Sequence, residues 1–102
     1  MIALDTYALI EITKVNKKFT ELLDSDFVIS DITMVEFYSI IYKEHNKKTA
    51  DYWYKKFSSF CESVSIDILL SATRFRIDNA KKGFSFFDCV GYIFALEKNL
   101  NS

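Results

Sequence analysis

Three short strand candidates, two of them wholly apolar, each followed by residues at helical spacing, constrain this chain more than any other feature. Residues 1–4 (Met-Ile-Ala-Leu) stop at Asp5 and pass into Tyr7-Ala8-Leu9-Ile10. Phe27-Val28-Ile29 leads through Ser30 and Asp31 to Met34, Phe37, Tyr38 and Ile41. Val64-Ser65-Ile66 leads to Asp67 and then Ile68-Leu69-Leu70. Three or four apolar residues suit a buried strand and are too few for a helix, whereas steps of three and four mark one helical face. A strand that returns through a helix re-enters its sheet in the same direction. The alternation therefore predicts an α/β fold, with a small parallel sheet covered by helices.

The punctuation agrees with this order. Ser30 or Asp31 is expected to cap the helix of residues 32–42, and Asn46 to end it and begin the next, which runs through Tyr52, Trp53, Phe57 and Phe60. Val15, Phe19, Leu22 and Leu23 predict a helix over 14–23. Asp67 is read as an N-cap, and Gly83 as the stop of the helix that follows it. Ser85 and Asp88 have the spacing of a capping box, opening a last helix through Tyr92, Ile93 and Leu96 to about Asn99.

With 102 residues the chain is expected to form one domain, 1–102, around one core. Its 17% aromatic content supplies the large side chains by which a short chain offsets a poor surface-to-volume ratio. The net charge of −1 excludes nucleic-acid binding through bulk positive charge. Any such contact is local: residues 43–82 hold nine Lys and Arg against five acids, most of them read as a solvated mixed face. Cys61 and Cys89 form no CxxC pattern, and the single His45 lies among lysines, so a zinc site is not expected. Cys89 is read as a buried, reduced thiol and His45 as a surface residue. No run approaches the ~18 apolar residues of a membrane span, and the start lacks a signal-peptide pattern, so a cytoplasmic protein is expected.

Three carboxylates stand apart. Asp5 is the sole charge in residues 1–10, Glu36 in 32–42, and Asp88 between Lys82 and Glu97. Each sits in an apolar run, where an unpaired carboxylate costs several kcal/mol, so one shared site explains all three. Asp5 and Asp88 also read as helix caps, whereas Glu36 lies deeper in its helix. Asp5 follows the first strand at its C-terminal end, the edge where parallel α/β sheets bind ligands. Clustered carboxylates repel one another unless a cation lies between them, and oxygen ligands without His or Cys select Mg²⁺ or Mn²⁺. Such a site suits phosphodiester hydrolysis.

These residues resemble the PIN-domain family. Met-Ile-Ala-Leu-Asp5-Thr6-Tyr-Ala-Leu is similar to the family's opening, Ser30-Asp-Ile-Thr-Met-Val-Glu36-Phe-Tyr to its second motif, and Phe84-Ser-Phe-Phe-Asp88-Cys-Val-Gly-Tyr-Ile-Phe-Ala95 to its third. The resemblance implies a three-layer α/β/α fold and a VapC-like, Mg²⁺- or Mn²⁺-dependent endoribonuclease. It also implies the toxin role of a toxin–antitoxin pair, an RNA substrate, an antitoxin partner and a homodimer. Asp5, Glu36 and Asp88 match the family's acidic catalytic and metal site, with Thr6 as the hydroxyl beside the first acid. Tyr7, Phe37, Tyr38 and Tyr42 are candidates for a dimer face. One departure is plain: the family continues into a further strand with a fourth acid, whereas this sequence ends Asn99-Leu100-Asn101-Ser102. The expectation is a truncated member, or one that completes its sheet with a partner. A PIN domain that binds protein or RNA without cutting is the alternative, and a mostly helical protein whose acids are only caps is a third reading.

Overall fold

The computed structural model describes residues 1–101, with side chains through Asn99. Its sheet has three parallel strands in the order β1 (Ile2–Ala3), β2 (Phe27–Ser30), β3 (Cys61–Glu62). Helices α1 (Thr6–Thr13) and α2 (Lys17–Thr20) and a 3₁₀ turn link β1 to β2; α3 (Asp31–Glu44) and α4 (Lys47–Phe57) link β2 to β3; α5 (Ile66–Asp78) and α6 (Phe86–Asn101) follow. The parallel sheet and the α/β class agree with the reading of the sequence.

Alternation along β2 divides the core. Phe27 and Ile29 bury into one cluster with Leu9 and Ile12 of α1, Phe37 and Ile41 of α3, and Phe57 of α4. Val28, one residue out of phase, packs with Ile68 of α5 and Phe94 of α6. Successive strand side chains point to opposite faces, so this one strand carries helices on both sides and makes three layers. Ala72, Cys89 and Val90 close α5 onto α6. Phe37 is 0% exposed, and burial of such a side chain contributes about 1.5–3 kcal/mol. This removes Phe37 from the candidate dimer face, whereas Tyr7 and Tyr42 are exposed.

Side-chain caps fix the helix starts. Ser30 Oγ accepts from Thr33 N–H at 2.9 Å, and Asn46 Oδ1 accepts from Thr49 N–H at 2.8 Å. Tyr38 donates to Asp51 Oδ1 at 2.6 Å and Lys47 to Oδ2 at 2.7 Å, tying α3 to α4. Lys98 pairs with Glu62 at 2.5 Å, joining α6 to β3.

Four local expectations fail. The helix foreseen over 14–23 is interrupted because Val15 takes a left-handed φ of 57° and Asn16 caps a new start at Lys17. The third strand is Cys61–Glu62, and Ile66 of the expected strand opens α5 at 65% exposed. Ser65, rather than Asp67, caps α5, its Oγ accepting from Ile68 N–H at 3.2 Å. The helix that Gly83 was to stop ends at Asp78, and a 3₁₀ turn intervenes before Gly83 supplies the left-handed φ of 69°. The side chains of Leu100 and Asn101, and Ser102 altogether, lie outside the described residues. No described helix is long and apolar enough to cross a membrane. His45 is exposed, Cys89 is buried, and both cysteines are free thiols.

Candidate active site

Each acid is positioned by a different junction. Ile2 N–H donates to Asp26 O at 2.9 Å and Leu4 N–H to Val28 O at 3.0 Å, which docks β1 and leaves Asp5 just past its C-terminal end. There Asp5 is extended and caps α1, its Oδ1 accepting from Ala8 N–H at 2.8 Å. Glu36 stands in the second turn of α3, which begins where β2 ends. Parallel neighbours finish on the same edge of a sheet, so Asp5 and Glu36 are brought side by side from sequence positions far apart. Asp88 stands in the first turn of α6 in a reciprocal capping box. Its N–H donates to Ser85 Oγ at 3.0 Å, and its Oδ2 accepts from Ser85 N–H at 3.1 Å.

A cavity of about 390 Å³ opens at this edge, and Asp5, Glu36 and Asp88 all line it. Leu4, Thr6, Tyr7 and Thr33 line one side, and Phe87, Gly91, Tyr92, Phe94 and Ala95 of α6 line the other. Thr6 donates its hydroxyl to Glu36 Oε1, a bond across the cavity wall between α1 and α3. Asp67, which met the same lone-charge test in the sequence, lies in the first turn of α5 and does not line the cavity.

The three acids are less buried than their apolar sequence neighbours imply. Asp5 and Asp88 are exposed and Glu36 is half-buried. Apolar neighbours in sequence do not bury a residue at a helix start, because the first-turn N–H groups face outward and hold it at the rim. Both capping readings are therefore realised alongside the shared cavity.

The donor atoms are of the type a hard cation takes. They are oxygens, and one oxygen of each acid (Asp5 Oδ2, Glu36 Oε2, Asp88 Oδ1) accepts no hydrogen bond among the described residues. As the side chains stand, no three His, Cys, Asp or Glu among the described residues lie close enough together to hold one metal ion. No lysine or arginine is among the described residues lining the cavity. Cys61 does not line the cavity, and burial first and the Asp31 carboxylate second push its thiol pKa up.

Aromatic side chains rim the cavity, a feature not expected from the sequence. Tyr92, read as part of the apolar face of α6, is exposed at the cavity mouth, as are Phe87 and Tyr7. The signal was present in the four-residue steps Phe87, Gly91, Ala95 and Asp88, Tyr92, which place these residues on one side of α6.

The fold is shared with Mycobacterium tuberculosis VapC20, a sarcin-ricin loop cleaving toxin. The two superpose with a TM-score of 0.82 over 97% of this chain and 84% of that one, at 15% sequence identity. No protein-family model matches the chain, and no curated protein matches it by sequence. The architecture is thus the VapC-type PIN-like one, mostly helical with a small three-stranded parallel sheet.

Proposed function

We propose that the chain is a metal-dependent endoribonuclease, the toxin of a toxin–antitoxin pair, acting as one PIN-like unit over residues 1–102. The observation that carries the reading is that Asp5, Glu36 and Asp88, drawn from three separate junctions, line one cavity at the C-terminal edge of the sheet. The fold shared with a toxin that cleaves the sarcin-ricin loop supports an RNA substrate and an antitoxin partner. A cytoplasmic, homodimeric protein fits the same reading.

In this proposal the uncommitted oxygens of the three acids would hold Mg²⁺ or Mn²⁺ once the side chains are drawn together, since as they stand no three acids among the described residues are close enough to do so. A cation held there would supply charge neutralisation at the phosphodiester and Lewis acidity toward water. Thr6 restrains the Glu36 carboxylate through its hydroxyl and leaves the second carboxylate oxygen uncommitted. The capping bonds of Asp5 and Asp88 do the same at their helix starts, each spending one oxygen on the backbone and reserving the other. Phe87 and Tyr92 wall the rim and reduce access of bulk water.

A second reading, a PIN-like module that binds RNA or protein without cutting, is favoured by one observation: no three acids among the described residues stand close enough to hold one ion. The two are separated by incubating the folded protein with Mg²⁺ or Mn²⁺ and a broad panel of RNAs. The ribonuclease reading expects cleavage of single-stranded RNA, reduced ~100-fold or more by Asp88→Asn. Intact RNA across the whole panel decides for the binding module.

A further inference from the structure

A second cavity, of about 540 Å³, lies against the acidic one and is lined by Phe75, Phe84, Tyr92, Lys82, Asn79 and Asp88 among others. Asp88 and Tyr92 line both cavities, so an occupant of one is adjacent to an occupant of the other. Its size is that of a small-molecule site, and three of its seven lining residues are aromatic. Phe75 contacts both other rings, Phe84 at 6.1 Å with planes 21° apart and Tyr92 at 5.0 Å with planes 37° apart. Phe84 and Tyr92 nonetheless remain 39% and 49% exposed. The wall is held in place: Arg76 Nε donates to Phe84 O at 3.1 Å, and Asn79 Nδ2 donates to Phe75 O at 2.8 Å.

We infer that this aromatic cavity is a stacking subsite for the base of a nucleotide next to the cut phosphate of single-stranded RNA, an inference that rests on the ribonuclease reading. Three features select a nucleotide over an apolar side chain. Exposed ring faces stack on any base. Asn79 Oδ1 has no donor among the described residues and is available to an amino or imino group on a base edge. Lys82 makes no ion pair among the described residues and supplies, beside the rings, the positive charge that the acidic cavity lacks. The backbone phosphate of the stacked nucleotide pairs with Lys82, while its neighbour along the strand reaches Asp88.

The test is an abasic scan. Labelled single-stranded RNA ten-mers, each with one base removed, are titrated by fluorescence anisotropy against the wild-type protein. Ca²⁺ replaces Mg²⁺, and the intact strand is the reference. Loss of the base at one position is expected to weaken binding ~10-fold, at the low end of what one stacked base contributes. The same lesion is expected to cost less than ~2-fold in Phe84→Leu, because the partner ring is already gone. Lys82→Gln is expected to flatten the salt dependence of binding by about one phosphate contact. If RNA binds and is cut by the wild type, yet every abasic strand binds as tightly as the intact one, the subsite is wrong and the ribonuclease reading survives. If the wild type neither binds nor cuts RNA, both fall. Should Phe84→Leu fail to fold, the scan on the wild type decides alone.

Discussion

The hydroxyl of Thr6 hydrogen-bonds to Glu36 Oε1 across 30 residues of sequence, joining the first turn of α1 to the second turn of α3. The bond couples the residue beside the first acid to the second acid, so its loss is felt by the site more than by the fold. Thr6→Val, similar in size and shape, is expected to weaken Mn²⁺ affinity ~10-fold, within the range seen for partners that orient ligands. Stability should fall by no more than ~1.5 kcal/mol. Calorimetric Mn²⁺ titration with a parallel urea melt checks both, and Thr6→Ser should restore the affinity. Unchanged affinity in Thr6→Val removes the positioning role.

Asp5 serves as a helix cap whatever else it does. Asparagine caps as well as aspartate does, so Asp5→Asn separates the two roles. The melting free energy should move by less than ~0.5 kcal/mol while Mn²⁺ binding disappears and RNA cleavage falls ~100-fold or more. Asp5→Ala adds a stability loss of ~1 kcal/mol from the missing cap. Full Mn²⁺ binding by Asp5→Asn would reduce this residue to its cap.

The Tyr38–Asp51–Lys47 network makes stability pH-dependent on both flanks. The Lys47 hydrogen bond, then that of Tyr38, holds the Asp51 carboxyl below its usual value. A lowered carboxylate pKa stabilises the fold above the ordinary value near 4 and loses that contribution as pH falls through the folded one. Hydrogen bonding to Asp51 is also the first cause that raises Tyr38 and Lys47. Their contribution is present below about pH 10 and is lost as pH rises through the raised values. Asp51→Asn should flatten both flanks of a urea-midpoint against pH curve, and an unchanged curve would detach the network from stability.

Gly91 occupies a helical position on the cavity wall, and a Cβ built there meets nothing within 4 Å. Gly91→Ala is therefore expected to stabilise the protein by about 0.5–1 kcal/mol, since alanine loses less backbone entropy in a helix. Gly91→Leu should keep the fold while its side chain fills the cavity, lowering RNA cleavage without a matching drop in melting temperature. Destabilisation by the alanine would mean that α6 is held more tightly than its surroundings indicate.

How far the sequence could be read depended on whether a feature was local. The apolar run Phe27-Val28-Ile29 and the Ser85–Asp88 capping box are short-range patterns, and both appear as expected. Strand β3 was displaced because Val64-Ser65-Ile66 has the composition of a strand, whereas Cys61–Glu62 forms one only by pairing with Ile29 and Ser30. The break at Val15 was hidden by its side chain, since a β-branched residue is a poor candidate for a left-handed turn. Asp5 and Glu36 follow strands that end on one edge, whereas Asp88 reaches their cavity from the start of α6; the exposure of Asp5 and Asp88 was not legible, because burial at a helix start depends on what packs over it. The ring-lined cavity was illegible for a further reason: Phe75 meets Phe84 and Tyr92 only after α5 and α6 have docked.

Strand β1 is two residues long and is fastened to β2 by amides at Ile2 and Leu4. The same segment buries Leu4 in the core and ends at Asp5, the cap of α1, so the anchoring of β1 sets where the first acid stands. Whatever engages Asp5 from the solvent side is expected to slow deuterium uptake at these two amides.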